Sequence, residues 1–292
     1  MTEEGRGPLA GITILDLGTM VAGLVAATLM SDLGADVIKV ERPDGSDTIR
    51  SNGPAIDGEG LWWNIEGRGK RSLTLDLRQE EGQSILRELV KQADVLIENF
   101  RPGTMKKWSI DYERLRETNP RLGMLSISGY GQTGPNASRA AYDRIALAYS
   151  GLLHMTGDPD RPPVRLGAAI ADYQTAIFGA YSVTVALYHR DVAGGLGQHI
   201  DLSLFETAFR FTDVMITAFD KLGNKRDRTG NLHFGAAPGD HFETSDGRYL
   251  VMTISNDGLF ARLCTAMNRL DLLEDARYRT HALEMGACEG DK

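Results

Sequence analysis

Segment 165–190, RLGAAIADYQTAIFGAYSVTVALYHR, carries one charged residue between Gly167 and Tyr188, the carboxylate of Asp172. An acid heading an apolar, helix-like run has two readings. As an N-cap it accepts from a free backbone N–H of a helix that begins directly after it. As a nucleophile it attacks a carbonyl carbon and forms a covalent intermediate. The two are compatible. A carboxylate at a helix N-terminus faces partial positive charge and stays ionised, and backbone N–H groups there stabilise an oxyanion.

A second constellation is basic. Arg42 follows the apolar run DVIKVE, Lys70 and Arg71 precede SLTLDL, Arg78 follows it, and Arg101 follows DVLIENF with Lys106 and Lys107 close behind. In open α/β sheets ligands bind beyond the carboxyl ends of the strands, so Arg42, Arg78 and Arg101 share a rim suited to a polyphosphate. For any one of these arginines alone, a solvated loop charge is the better reading.

Other motifs exclude chemistry. Gly129, Gly131 and Gly134 match G-x-G-x-x-G, but Pro135 follows and no helix opens to face a diphosphate. The six histidines, His154, His189, His199, His233, His241 and His281, have no metal-ligand spacing, and no metal is expected. No G-x-S-x-G elbow or Cys–His pairing suggests a hydrolase.

The elements that must position these residues alternate in type. Apolar runs at 11–17, 36–43, 71–77, 94–100 and 121–128 read as strands. Helical patterns lie between them, such as QEEGQSILRELVKQA with acids in its first turn. This predicts an α/β fold, a mostly parallel Rossmann-like sheet with helices on both faces. Residues 1–220 read as a large catalytic domain, and the Gly- and charge-rich stretch 221–238 as a linker. Residues 239–292 read as the start of a smaller α+β domain, with two strands around Ser245-Asp246-Gly247 and then a helix.

The chain has 292 residues and a formal charge of −8, with no extended Lys/Arg-rich tract, so a nucleic-acid-coating role is not expected. Cys264 and Cys288 suggest neither a metal site nor a disulfide framework. The acidic N-terminus is not a secretory signal, and the run from Tyr173 to Tyr188 is too short to span a bilayer. A cytoplasmic protein without a membrane partner is expected.

The motifs DLGADVIKVERP, GKRSLTLDL, DVLIENFRPG, SISGYGQTGP, YDRIALAYSGL and GAAIADYQTAIFGAY, in this order, resemble class III CoA-transferases. The resemblance runs from about residue 8 to about 280 and looks nearest to members that move CoA between dicarboxylic acids. It implies Asp172 as the catalytic residue and a CoA site at Val21, Ala22, Arg42, Leu75, Asp76, Leu77, Arg78, Asn99, Phe100, Arg101, Lys107, Arg139, Ala140, Ala141 and Tyr142. It implies acyl-CoA and a small carboxylic acid as substrates, succinyl-CoA among the donors. No tightly bound cofactor is implied, and the assembly would be an interlocked homodimer. Catalysis would pass through an aspartyl mixed anhydride and an aspartyl-CoA thioester.

Two alternatives accompany this reading. A 2-methylacyl-CoA racemase needs a second base, and Tyr142 stands where racemases carry His. A non-catalytic CoA-binding or vestigial fragment is the other, because relatives run longer and EMGACEGDK does not resemble their continuation. Thr19 and Leu24 also replace the Arg and Pro of many relatives in the first turn.

Overall fold

The structure, a computed structural model, describes residues 7–233 and 235–278. His281, Cys288 and the closing EMGACEGDK lie outside the described residues. So does the end of the expected smaller domain.

The strands follow in chain order. They are β1 (Thr13–Asp16), β2 (Asp36–Glu41), the short pair β3 (Ala55–Ile56) and β4 (Glu59–Gly60), β5 (Lys70–Thr74), β6 (Val95–Glu98), β7 (Gly123–Ser128), β8 (His199–Ser203), β9 (Gly239–Glu243) and β10 (Tyr249–Thr253). Six of them form one sheet in the order β5-β2-β1-β6-β7-β8, with every neighbouring pair parallel. This is the mostly parallel sheet expected from the alternation of strand and helix.

The helices are α1 (Ala22–Asp32), α2 (Leu61–Glu66), α3 (Glu80–Val90), α4 (Thr104–Lys107), α5 (Tyr112–Thr118), α6 (Asp143–Ser150), α7 (Ile170–Tyr188), α8 (Leu204–Arg210), α9 (Met215–Leu222), α10 (Asp257–Ala266) and α11 (Asp271–Glu274). Successive strand residues point to opposite faces, and both faces are covered. Ile14, Val95, Ile97, Leu125 and Ile127 pack with α1 and α7, whereas Leu15, Leu96 and Met124 pack with α3 and α5. A sheet buried on both sides requires continuous apolar strands, which is how these segments read in the sequence.

Helix α7 lies directly on this sheet. Its buried residues Ala171, Thr175, Ala176, Gly179, Val183, Ala186 and Leu187 make one face at helical spacing. Gly179 permits the close approach, because a Cβ there would stand 2.9 Å from Leu125 Cδ2. The opposite face leaves Ile177, Tyr181, Val185 and Tyr188 exposed.

The described chain divides into two compact units. One takes the chain up to Leu153 with Leu166–Leu222, and contains the six-stranded sheet. The other takes His154–Arg165 and the chain from Gly223 onward. It holds the antiparallel pair β9–β10 and helix α10, whose N-terminus Asn256 caps through Oδ1 to the Leu259 N–H at 2.9 Å. Ile254, Phe260 and the buried Cys264 form its core.

Among the described residues no helix is long and apolar enough to cross a membrane, and no cluster of His, Cys, Asp and Glu comes together as metal ligands.

Candidate active site

The carboxyl ends of β1, β2, β5, β6 and β7 open onto two cavities of the larger unit. The first, about 480 Å³, is walled by Val21, Ala22, Asn99, Phe100, Arg101, Arg139, Ala140, Ala141, Tyr142 and Asp172, with Trp62, Ser128, Gly129 and Leu204. The second, about 430 Å³, is walled by Arg42, Leu75, Asp76, Leu77 and Arg78, with Asp47, Thr48 and Trp108. Thr19, Met20, Phe100 and Tyr142 belong to both walls. Of the residues expected to bind ligand, only Lys107 lines neither. It is exposed at the end of α4, beside Trp108.

Asp172 is not a helix cap, contrary to the sequence reading. Helix α7 begins at Ile170, so Asp172 is its third residue. Capping comes from elsewhere: Asp143, at the start of α6, accepts the Ala171 N–H through Oδ1 at 2.7 Å. With that N–H already met, the Asp172 carboxylate faces the first cavity. Among the described residues no group donates a hydrogen bond to it.

The expectation that Asp172 simply stays ionised is also corrected. Burial pushes its carboxyl up to about 7, and the neighbouring Asp143 carboxylate adds to the rise. Desolvation and a like charge both disfavour the anion, and together they outweigh the field of the helix terminus. An acid poised near neutrality in a cavity is a candidate reactive group. Its anion is poorly solvated, which makes it more nucleophilic than an exposed carboxylate.

The turn between β1 and α1 is fixed in a strained form. Met20 has φ of +59°, in the left-handed region, at a cost of roughly 1–2 kcal/mol for a residue with a Cβ. Such a conformation persists only where its surroundings over-determine it. Asn99 does so from β6: its Oδ1 accepts the Thr19 N–H and its Nδ2 donates to the Thr19 carbonyl, both at 2.7 Å. The Asn99 side chain, expected to touch ligand, thus braces the turn that lines both cavities. Gly18 and Gly23 are in close contact there, since a Cβ on Gly18 would meet Gly23 C at 2.8 Å.

The cationic residues differ in availability. Arg78 holds Asp76 through Nη2–Oδ2 at 2.7 Å, and its guanidinium keeps that carboxyl at about 2. Arg42 pairs with Asp44. Arg101 and Arg139 have no ion-pair partner among the described residues. Arg139 lies over the Tyr130 ring at 5.8 Å and donates to Asn136 Oδ1.

The loop Gly129–Pro135 shows why its glycine motif is not a dinucleotide site. No helix follows before Asp143. The Gln132 N–H donates to both oxygens of Asp201 on β8, at 3.0 and 2.9 Å, tethering the loop. Gly129 lies so close to Ala141 that a Cβ would stand 2.6 Å from the alanine Cβ. This contact joins the loop to the Arg139–Tyr142 wall.

Sequence reasoning missed Trp62 and Asp143. Trp62 is fixed by its Nε1–H, which donates to Tyr173 Oη at 3.2 Å, and Tyr173 in turn donates to Glu66 Oε1 at 3.1 Å. The adjacent tryptophans in GLWWNIEG were its only local signal. Asp143 stood in the quoted YDRIALAYSGL, next to Tyr142.

The family model described as CoA-transferase family III matches residues 9–288. The chain is 43% identical over 275 residues to the succinyl-CoA–L-malate CoA-transferase beta subunit of Chloroflexus aurantiacus, covering 93% of this chain and 67% of that protein. It is 40% identical to the succinate–glutarate CoA-transferase of Agrobacterium fabrum, covering 94% of this chain and 70% of that one. A solved CAIB/BAIF family protein from Brucella suis superposes with a TM-score of 0.84 at 38% identity, covering 97% of this chain and 76% of that chain. The chain spans about two thirds of the length of the curated relatives it matches, 67% of the beta subunit above and 66% of an alpha subunit from the same organism.

Proposed function

The chain belongs to CoA-transferase family III, and on that premise we propose that it moves CoA from an acyl-CoA to a carboxylic acid, with Asp172 as nucleophile. The observation that carries this reading is the Asp172 carboxylate on the wall of a cavity, half-buried and without a hydrogen-bond donor among the described residues. The second cavity, with Arg42 and Arg78 on its wall, suits the phosphates of CoA. The first takes the acyl end.

In the proposed sequence the ionised carboxylate attacks the thioester carbonyl, and the C–S bond breaks to release CoA thiolate from a mixed anhydride. The thiolate then attacks the Asp172 carbonyl. The donor acid leaves as carboxylate, and an aspartyl-CoA thioester remains. An acceptor carboxylate attacks that thioester, giving a new anhydride and thiolate. Attack of this thiolate on the acceptor carbonyl forms the new acyl-CoA and restores Asp172. Water would hydrolyse each intermediate, so the apolar walls supplied by Trp62, Ile127 and Leu204 serve to exclude it.

Dicarboxylic acids are the proposed substrates, succinyl-CoA the proposed donor, and a cytoplasmic homodimer the proposed state. Support for the substrates is the naming of the relatives, one for L-malate and one for glutarate. The relatives named alpha and beta subunits make a two-chain assembly the other arrangement to test.

The test is incubation with succinyl-CoA and a panel of acceptor acids, with hydroxylamine trapping and mass spectrometry of the protein. A new acyl-CoA and a hydroxamate on Asp172 are expected. CoA binding without transfer would replace this reading with that of a binding protein. Deuterium uptake beside the thioester carbonyl without transfer would replace it with a racemase.

A further inference from the structure

Buried charge collects beneath the turn between β1 and α1, and of its four charged side chains only Asp47 also lines a cavity wall. Lys39 on β2 is 1% exposed. Its ammonium donates to the Gly18 carbonyl at 2.6 Å and the Val40 carbonyl at 3.2 Å, and pairs with Asp47 at 3.2 Å. Lys70 on β5, whose side chain is also 1% exposed, donates to Asp16 Oδ2 at 2.8 Å and to the Leu24 carbonyl, in the first turn of α1, at 2.7 Å. The other oxygen of Asp16 accepts the Gly18 N–H at 2.9 Å. Two ammoniums and two carboxylates therefore grip Gly18 by both its backbone groups and hold the start of α1.

Stability alone is a poor reason for such a network. Desolvating the charges offsets their attraction, and apolar replacements of similar volume are often neutral or better. Fixing geometry is the better reason here, because the gripped backbone leads directly into strained Met20 and into Val21 and Ala22 on the cavity wall.

We propose that Lys39 and Lys70 are positioning residues for the bound acyl-CoA, acting through the 18–24 backbone without touching the ligand. This rests on reading the two cavities as the CoA site. It adds residues that neither the cavity walls nor the basic rim contains.

The test uses the full chain and free CoA as probe, by calorimetric titration. In the double variant Lys70→Met/Asp16→Asn both charges vanish, an acceptor for the Gly18 N–H remains, and no wall residue changes. In Lys39→Arg the charge opposite Asp47 remains, but the longer planar head is displaced from the Gly18 carbonyl. Each folded variant, with wild-type near-UV circular dichroism, is expected to bind CoA about tenfold more weakly, since misplacement by a fraction of an ångström is costly at a preorganised site. KM for acyl-CoA should rise in step while kcat changes less. A folded variant that binds CoA within about twofold of wild type overturns the proposal. Failure of both variants to fold also overturns it, by assigning the residues to maintenance of the fold. A flat titration of the wild-type chain would instead strike the CoA reading itself, and is seen before any variant is made.

Discussion

Two aspartates on the larger unit, one buried and one half-buried, have opposite surroundings. Asp16 is 0% exposed, yet its oxygens meet the Lys70 ammonium and the Gly18 N–H. Asp172 is less deeply enclosed, meets no donor among the described residues, and has Asp143 as its charged neighbour. The first carboxylate is matched and serves as framework. The second is unmatched, so the surrounding fold holds a poorly satisfied group where a ligand can reach it. An uncompensated buried charge marks chemistry more sharply than burial alone.

Breaking the comparison begins with Asp172→Asn. Transfer activity should fall at least about 10⁴-fold, because the nucleophile is lost, while the fold is kept. The linkage also has a definite sign. The folded-state carboxyl lies near 7, above its ordinary 3.8, so its contribution to stability is complete below about pH 4 and is lost as pH rises through about 7. Melts across that window should show the wild type losing stability relative to Asp172→Asn. Glu98, which burial also raises to about 7, titrates in both proteins and cancels in the difference.

Lys70→Met alone should show the reverse pattern. It leaves Asp16 buried and unpaired, so urea denaturation should report a loss on the order of 3–5 kcal/mol. Asp143→Asn sharpens the contrast at smaller scale. It keeps an acceptor for the Ala171 N–H but removes the like charge, so the rise of kcat/KM with pH should move down by under about one unit. The midpoint should stay above the ordinary carboxylate range, because burial is the larger cause. Smallest is Arg78→Ala. Its guanidinium is exposed, so CoA binding should weaken only a few-fold, and the gap should shrink between roughly 50 mM and about 0.5 M salt.

The framework was legible because its signal is local. GITILDL, DVIKVE and DVLIENF are apolar runs, and a two-sided parallel sheet needs such runs. They became β1, β2 and β6. Asp172 stood out for the same reason, as one charge in an apolar stretch. Its environment was not legible. The cap of α7 comes from Asp143, 28 residues earlier, and such a contact leaves no mark beside Ile170. Lys39 reads as an ordinary charge in the run DVIKVE, and only the approach of the 18–21 turn and Asp47 reveals it as buried. Arg42, Arg78 and Arg101 could be placed on one rim because each follows a strand. Which of them already holds an acid depended on loop conformation, which composition does not encode.

The hydrogen bond from the Ala171 N–H to Asp143 ties together the starts of α6 and α7. At one end, Tyr142 forms part of the wall of both cavities. At the other, Asp172 is the next residue along α7. On the proposed reading, a ligand that presses on that tyrosine is therefore coupled, through this bond, to the carboxylate that would attack.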